Sequence, residues 1–297
     1  MALNDQARAV LDKTAGAAPL ETLTAFEARQ AGLGYLELQG PKEPARVEHL
    51  FIPGPTADLP ARVYYPETGE GPFPGIVFLH GSGFVILNLE VYDVALRALA
   101  NATGHAVLAV NYQKAPEHPF PVPLDDCRAA TEWFLDHAEE LNVESLGIMG
   151  DSAGGTLAAV LAHEFKDRLK FQVLVYPPLD TDFETESYVD NARGFGLERE
   201  GMRWFWRQYL GDREATAEAA PLRATDFTGL PPTFVATAEH DPVRTDGERY
   251  ARELQAAGVP VRLRGFTGTI HAFLLMDGVL DEYRVLLAEL ADWLGER

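Results

Sequence analysis

Gly150-Asp151-Ser152-Ala153-Gly154-Gly155 places one serine among small residues in a G-x-S-x-G pattern. A serine hydroxyl turns into a nucleophile only when a base takes its proton and its oxygen stands clear of the chain. Glycines two positions to either side let the backbone bend sharply enough to push Ser152 outward, beside the positive end of a following helix. At ordinary glycine and serine frequencies the bare pattern turns up in roughly one chain of this length in ten. Glycine-rich turns between strand and helix also have purely structural uses, so the pattern gains weight only from its surroundings. Residues 145–149 before it read as a strand and residues 155–165 after it as a helix, which is the setting the chemistry needs.

An attacked carbonyl develops negative charge on its oxygen, and backbone N–H groups must point at that charge. His80-Gly81-Ser82-Gly83-Phe84 follows the apolar run 75–79 and is small enough for close backbone approach. The N–H of Ala153, next to the nucleophile, is the expected donor from the other side.

The base must reach the serine from the end of another strand. Of eight histidines, His271 follows the last predicted strand and comes after both the serine and an acid candidate, in the order Ser, Asp, His. His80 belongs to the oxyanion turn, while His137 and His163 fall in helical stretches. The acid should follow the penultimate strand, where Glu239-His240-Asp241-Pro242-Val243-Arg244 stands. Asp241 is the choice, holding the imidazole in one tautomer and stabilising the imidazolium. Asp246 and Glu239 are its rivals, with Asp246 expected to cap the next helix; Asp180 and Asp182 are weaker ones.

The elements that must position these groups alternate. Strands are expected at 47–52, 61–65, 75–79, 106–112, 145–149, 171–176, 233–238 and 261–266. Helical periodicity marks 90–103, 125–140, 155–165, 246–257 and 280–294. This alternation predicts an α/β fold with a mostly parallel sheet covered on both faces, antiparallel at its first edge. Residues 1–46 and the stretch 180–222 break the pattern. Both are expected to be helical and to meet as a cap over a catalytic domain spanning 47–297, since a structureless insert of that length is rare. Trp204, Phe205, Trp206 and Tyr209 in the insert fit packing better than an acyl pocket. One of them, or Phe84, Phe195 or Leu197, could still face an acyl chain.

The 297 residues carry 45 acidic against 25 basic side chains, a net charge of -20. That excess disfavours nucleic acid and anionic membranes as partners. The single cysteine, Cys127, forms no internal disulfide, and the N-terminus shows no apolar signal-peptide core. A cytoplasmic location is expected from both.

Together these residues resemble the hormone-sensitive-lipase-like α/β-hydrolases, in the branch whose elbow reads G-D-S-A-G. HGSGF is similar to that family's HGGGF, and Tyr112–Pro121 (YQKAPEHPFP) to its Y-R-L-A-P-E-x-x-F-P segment. Glu239–Arg244 is similar to E-x-D-P-L-R, and His271-Ala272-Phe273 to H-G-F. The likeness spans nearly the whole chain. It implies an eight-stranded sheet, a cap from the N-terminus and the insert, no cofactor, and esterase activity on short- to medium-chain acyl esters. It also implies Ser82, Gly83 and Ala153 as the oxyanion donors. Ser82 and Ala272 stand where the family usually has glycine. A small-molecule ester is thus the expected partner, and a homodimer stays open because related enzymes often pair through an edge strand. An acyltransferase or amide hydrolase on the same triad is the alternative activity. A non-catalytic receptor on this scaffold is disfavoured because such receptors lose the histidine. The segment 112–121 is expected to be structural, its prolines stiffening a turn.

Overall fold

Short runs rich in Val, Ile, Leu and Phe form eight strands in the computed structural model, which describes residues 2–296. These are β1 (Arg46–Pro53), β2 (Asp58–Tyr65), β3 (Phe73–Leu79), β4 (Ala106–Val110), β5 (Val143–Asp151), β6 (Gln172–Val175), β7 (Thr233–His240) and β8 (Val261–Ile270). They join one sheet in the order β1-β2-β4-β3-β5-β6-β7-β8. β2 runs antiparallel to both its neighbours, and every pairing from β4 to β8 is parallel. β3, β4 and β5 are buried almost end to end, as strands covered on both faces must be.

Nine α-helices are found among the described residues: α1 (Asp5–Thr14), α2 (Ala25–Gly32), α3 (Leu89–Thr103), α4 (Val122–Asp136), α5 (Ala153–Glu164), α6 (Glu186–Asp190), α7 (Arg199–Leu210), α8 (Arg244–Ala256) and α9 (Glu282–Gly295). α5 is apolar all round, and its residues from Ala153 to Ala162 are all buried, because it runs through the middle of the molecule against β5 and β6. The helix expected at 125–140 begins earlier, at Val122, since Pro123 sits in its first turn where no N–H is missed.

The parallel strands fix the place of function. β3, β5, β7 and β8 point the same way, so the residues just after them gather along one rim of the sheet. Those residues are His80, Ser152, Asp241 and His271. The last strand reaches Ile270, beyond the expected 266, so His271 follows it directly.

Residues before β1 form α1, α2 and two 3-10 turns, and the insert contributes α6, α7 and a third. α7 packs on the 3-10 turn Leu20–Thr22, which brings the two stretches together. α6 lies instead against α8. No helix among the described residues is long and apolar enough to cross a membrane.

Candidate active site

Ser152 adopts φ 50° and ψ −127°, in the left-handed half of φ space that a residue with a side chain rarely occupies. Neighbouring glycines allow it. A Cβ on Gly150 would strike the carbonyl of Gly154, and one on Gly154 would strike the carbonyl of Leu79. The Ser152 N–H donates to the Val175 carbonyl at 2.9 Å, anchoring the turn to β6.

His271 stands between the serine and the acid. Its Nε2 lies 2.8 Å from Ser152 Oγ and its Nδ1 lies 2.7 Å from Asp241 Oδ2. A carboxylate can only accept, so Nδ1 carries the proton and the serine hydroxyl donates to Nε2. Asp241 is wholly buried, and its other oxygen accepts the Val243 N–H at 3.1 Å. Each rival acid is engaged elsewhere. Glu239 accepts the Gly268 N–H, Asp180 pairs with Arg223, and Asp182 accepts the N–H of Glu184. Asp246 does not cap α8 as expected. It is buried beneath the loop after β6, accepting the N–H groups of Leu179 and Asp180, and burial pushes its pKa well up.

The turn after β3 presents its backbone to the serine's side of the rim. Among the described residues the N–H groups of Ser82, Gly83 and Ala153 have no acceptor. Ser82 and Ala153 are buried and Gly83 is half-buried, so these N–H groups are left to bond an acceptor from outside the chain. Gly83 has φ 52°, and a Cβ there would run into the ring of Phe205 from α7. The Ser82 hydroxyl is turned away from that space. It bonds the Tyr112 hydroxyl at 2.6 Å and accepts the Phe84 N–H at 2.8 Å, while Tyr112 also donates to the His80 carbonyl. His80 is buried and stacked on Tyr112 at 4.6 Å, and burial lowers its pKa well below the usual imidazole range. The Tyr112–Pro121 stretch therefore braces the turn from behind.

Several supports had no signal in the sequence. Asp151 accepts the Gly81 N–H at 2.7 Å and the hydroxyls of Tyr92 and Tyr176 at 2.8 and 3.2 Å. Burial outweighs these bonds and raises its pKa to about 6. Asn191 donates to the Asp241 carbonyl and Ser187 to that of Pro242, so the end of α6 braces the acid loop. Arg29 of α2 donates to the carbonyls of Val85 and Ala115 and pairs with Glu117, clamping the N-terminal stretch onto the loop after β3 and the segment 112–121. Only Asp151 lay within a motif; the others come from long-range packing.

The aromatic cluster of α7 divides by neighbour. Phe84 stacks on Tyr209 at 3.8 Å and tilts against Trp206 at 5.4 Å, so these three are packing. Phe195 stacks on His240. Phe205 lies over Gly83 in the turn after β3. Among the described residues no group of three or more His, Cys, Asp or Glu side chains is arranged to hold a metal ion.

A sheet of this order, with a serine elbow, a histidine and a buried acid at one rim, defines an α/β-hydrolase. A family model described as the alpha/beta hydrolase fold matches residues 76–275, and the chain belongs to that family, in its hormone-sensitive-lipase-like group. Among its relatives is the esterase LipI of Mycobacterium tuberculosis, 35% identical over 255 residues that make up 81% of this chain and 80% of that one. An ethyl acetate hydrolase of Pseudomonas putida is 33% identical over 236 residues, 75% and 74% of the two chains. A thermostable esterase from Pseudomonas putida ECU1011 superposes with a TM-score of 0.93 at 32% identity, covering 99% of this chain and 97% of that one.

Proposed function

We propose that this chain is a serine carboxylesterase acting on short- to medium-chain acyl esters through Ser152, His271 and Asp241. The observation that carries the reading is the continuous chain of bonds from Asp241 Oδ2 through the imidazole to Ser152 Oγ, at 2.7 and 2.8 Å. In the reaction His271 takes the serine proton as Oγ attacks the ester carbonyl. The N–H groups of Ser82, Gly83 and Ala153 receive the oxyanion, and His271 returns the proton to the departing alcohol. Water activated by the same imidazole then releases the acid from the acyl-enzyme.

The names of relatives support ester hydrolysis, and that of the ethyl acetate hydrolase favours a short acyl group. The N-terminal stretch 1–46 and the insert 180–222 act as the cap of the catalytic domain 47–297. Support for this comes from Phe205 over Gly83 and from Arg29 on the oxyanion loop.

The test compares wild type with Ser152→Ala on p-nitrophenyl acetate, butyrate and octanoate. The expected result is a loss of at least about a thousandfold in kcat with an unchanged fold. Hydrolysis retained at the wild-type rate would reject Ser152 as the nucleophile.

A further inference from the structure

Tyr176, the residue after β6, has φ 39°, is fully buried, and carries a bulky side chain. A tyrosine in the left-handed region is uncommon, and such strain persists only where the surroundings impose it. Its own N–H donates to Ala236 at 2.7 Å, and the carbonyl just before it, from Val175, accepts the N–H of Ser152. The backbone here is held from both sides.

The conformation sends the side chain between two parts of the site. The ring lies 4.5 Å from the His271 imidazole, centre to centre, and meets Phe273 edge-on at 5.3 Å. The hydroxyl donates to Asp151 Oδ2 at 3.2 Å, and Asp151 Oδ1 accepts the Gly81 N–H at 2.7 Å. One side chain thus touches the base on its ring and reaches the oxyanion turn through one carboxylate.

Resting on the esterase reading above, we propose that Tyr176 is a positioning residue that holds the general base and the oxyanion turn in register. The ring walls the imidazole against rotation away from Ser152. The hydroxyl, through Asp151, fixes Gly81 and with it the N–H groups of Ser82 and Gly83. A misplacement of about 1 Å at a reacting group can cost on the order of a hundredfold in rate, so a fixed relation between the two is worth a strained residue.

Tyr176→Phe and Tyr176→Leu separate the two roles, because phenylalanine keeps the ring while leucine removes it. Neither is β-branched, so both tolerate the backbone about as well as tyrosine. Activity is measured as kcat and KM per active site titrated with an organophosphate, which removes any difference in the amount of folded enzyme. The expected result is a loss of about tenfold or more in kcat for Tyr176→Leu with KM within about twofold, and at least half of that loss, on a logarithmic scale, recovered in Tyr176→Phe. Leucine and phenylalanine variants with kcat per titrated site within twofold of wild type would overturn the proposal while leaving the triad standing. If wild type itself fails to titrate, the esterase reading falls and the role of Tyr176 falls with it.

Discussion

At the residue scale, two departures from the family pattern meet different neighbours. Ser82 carries a hydroxyl where glycine is usual, and that hydroxyl is spent on Tyr112 and the Phe84 N–H, leaving its backbone N–H free. Ser82→Gly should therefore lower stability by about 1–2 kcal/mol, the worth of one or two buried hydrogen bonds, in urea unfolding. It should change kcat by less than about tenfold, or roughly 1.4 kcal/mol. Abolished turnover in a folded variant would mean that the hydroxyl itself serves the reaction. Ala272 has φ 62°, so its methyl group is held where glycine costs less. Asp151 gives a pH-dependent prediction. Its pKa is raised from 3.8 to about 6, so its effect on stability is most favourable below pH 3.8 and is lost as pH rises through 6. Asp151→Asn keeps an acceptor for Gly81 but cannot ionise. Its stability relative to wild type should rise between pH 4 and pH 7, by up to about 3 kcal/mol at about 1.4 kcal/mol per pKa unit. A stability difference that stays flat over that range would contradict this. Ser152, His271 and Asp241, which the structure joins in one chain of hydrogen bonds, stand out in the sequence because each sits beside a strand end in a recognisable string of residues. The role of Asp151 was not readable, since nothing local tells that Gly81, Tyr92 and Tyr176 converge on it.

At the element scale, all eight strands fall where they were expected, most plainly β3, β4 and β5, because strands buried on both faces need apolar runs. Their ends were less legible. β8 extends to Ile270 because it keeps pairing with His240 across a register shift, a long-range event. The α7 aromatics were legible as a helix face, but not their division of labour, which depends on what faces each ring. Phe205 overhangs Gly83, so Phe205→Ala should open the wall beside the turn after β3. The expected outcome is a rise of at least about threefold in the octanoate-to-acetate ratio of kcat/KM. A loss of about 3–5 kcal/mol in stability should accompany it, as for other buried Phe→Ala changes. An unchanged ratio would place Phe205 in packing alone.

At the scale of the whole molecule, the site is assembled from stretches scattered along the chain from His80 to His271, which the shared direction of β3, β5, β7 and β8 gathers at one rim. A net charge of -20 works against that compactness through self-repulsion. Raising salt from about 0.01 M to about 0.15 M shortens the Debye length from about 30 Å to about 8 Å. The melting temperature should rise over that interval, read by circular dichroism at constant pH. A fall would mean that attractive ion pairs, such as the cluster of Lys42, Arg62 and Arg97 around Asp93, outweigh the repulsion.

The most direct measurement is to treat the protein with a fluorophosphonate and map the adduct by peptide mass spectrometry. A single phosphonylated residue at Ser152, formed in step with the loss of ester hydrolysis and absent from His271→Ala, is the expected result. An adduct on any other residue, or hydrolysis that continues with Ser152 fully modified, would contradict the convergence of these three side chains on one reactive hydroxyl.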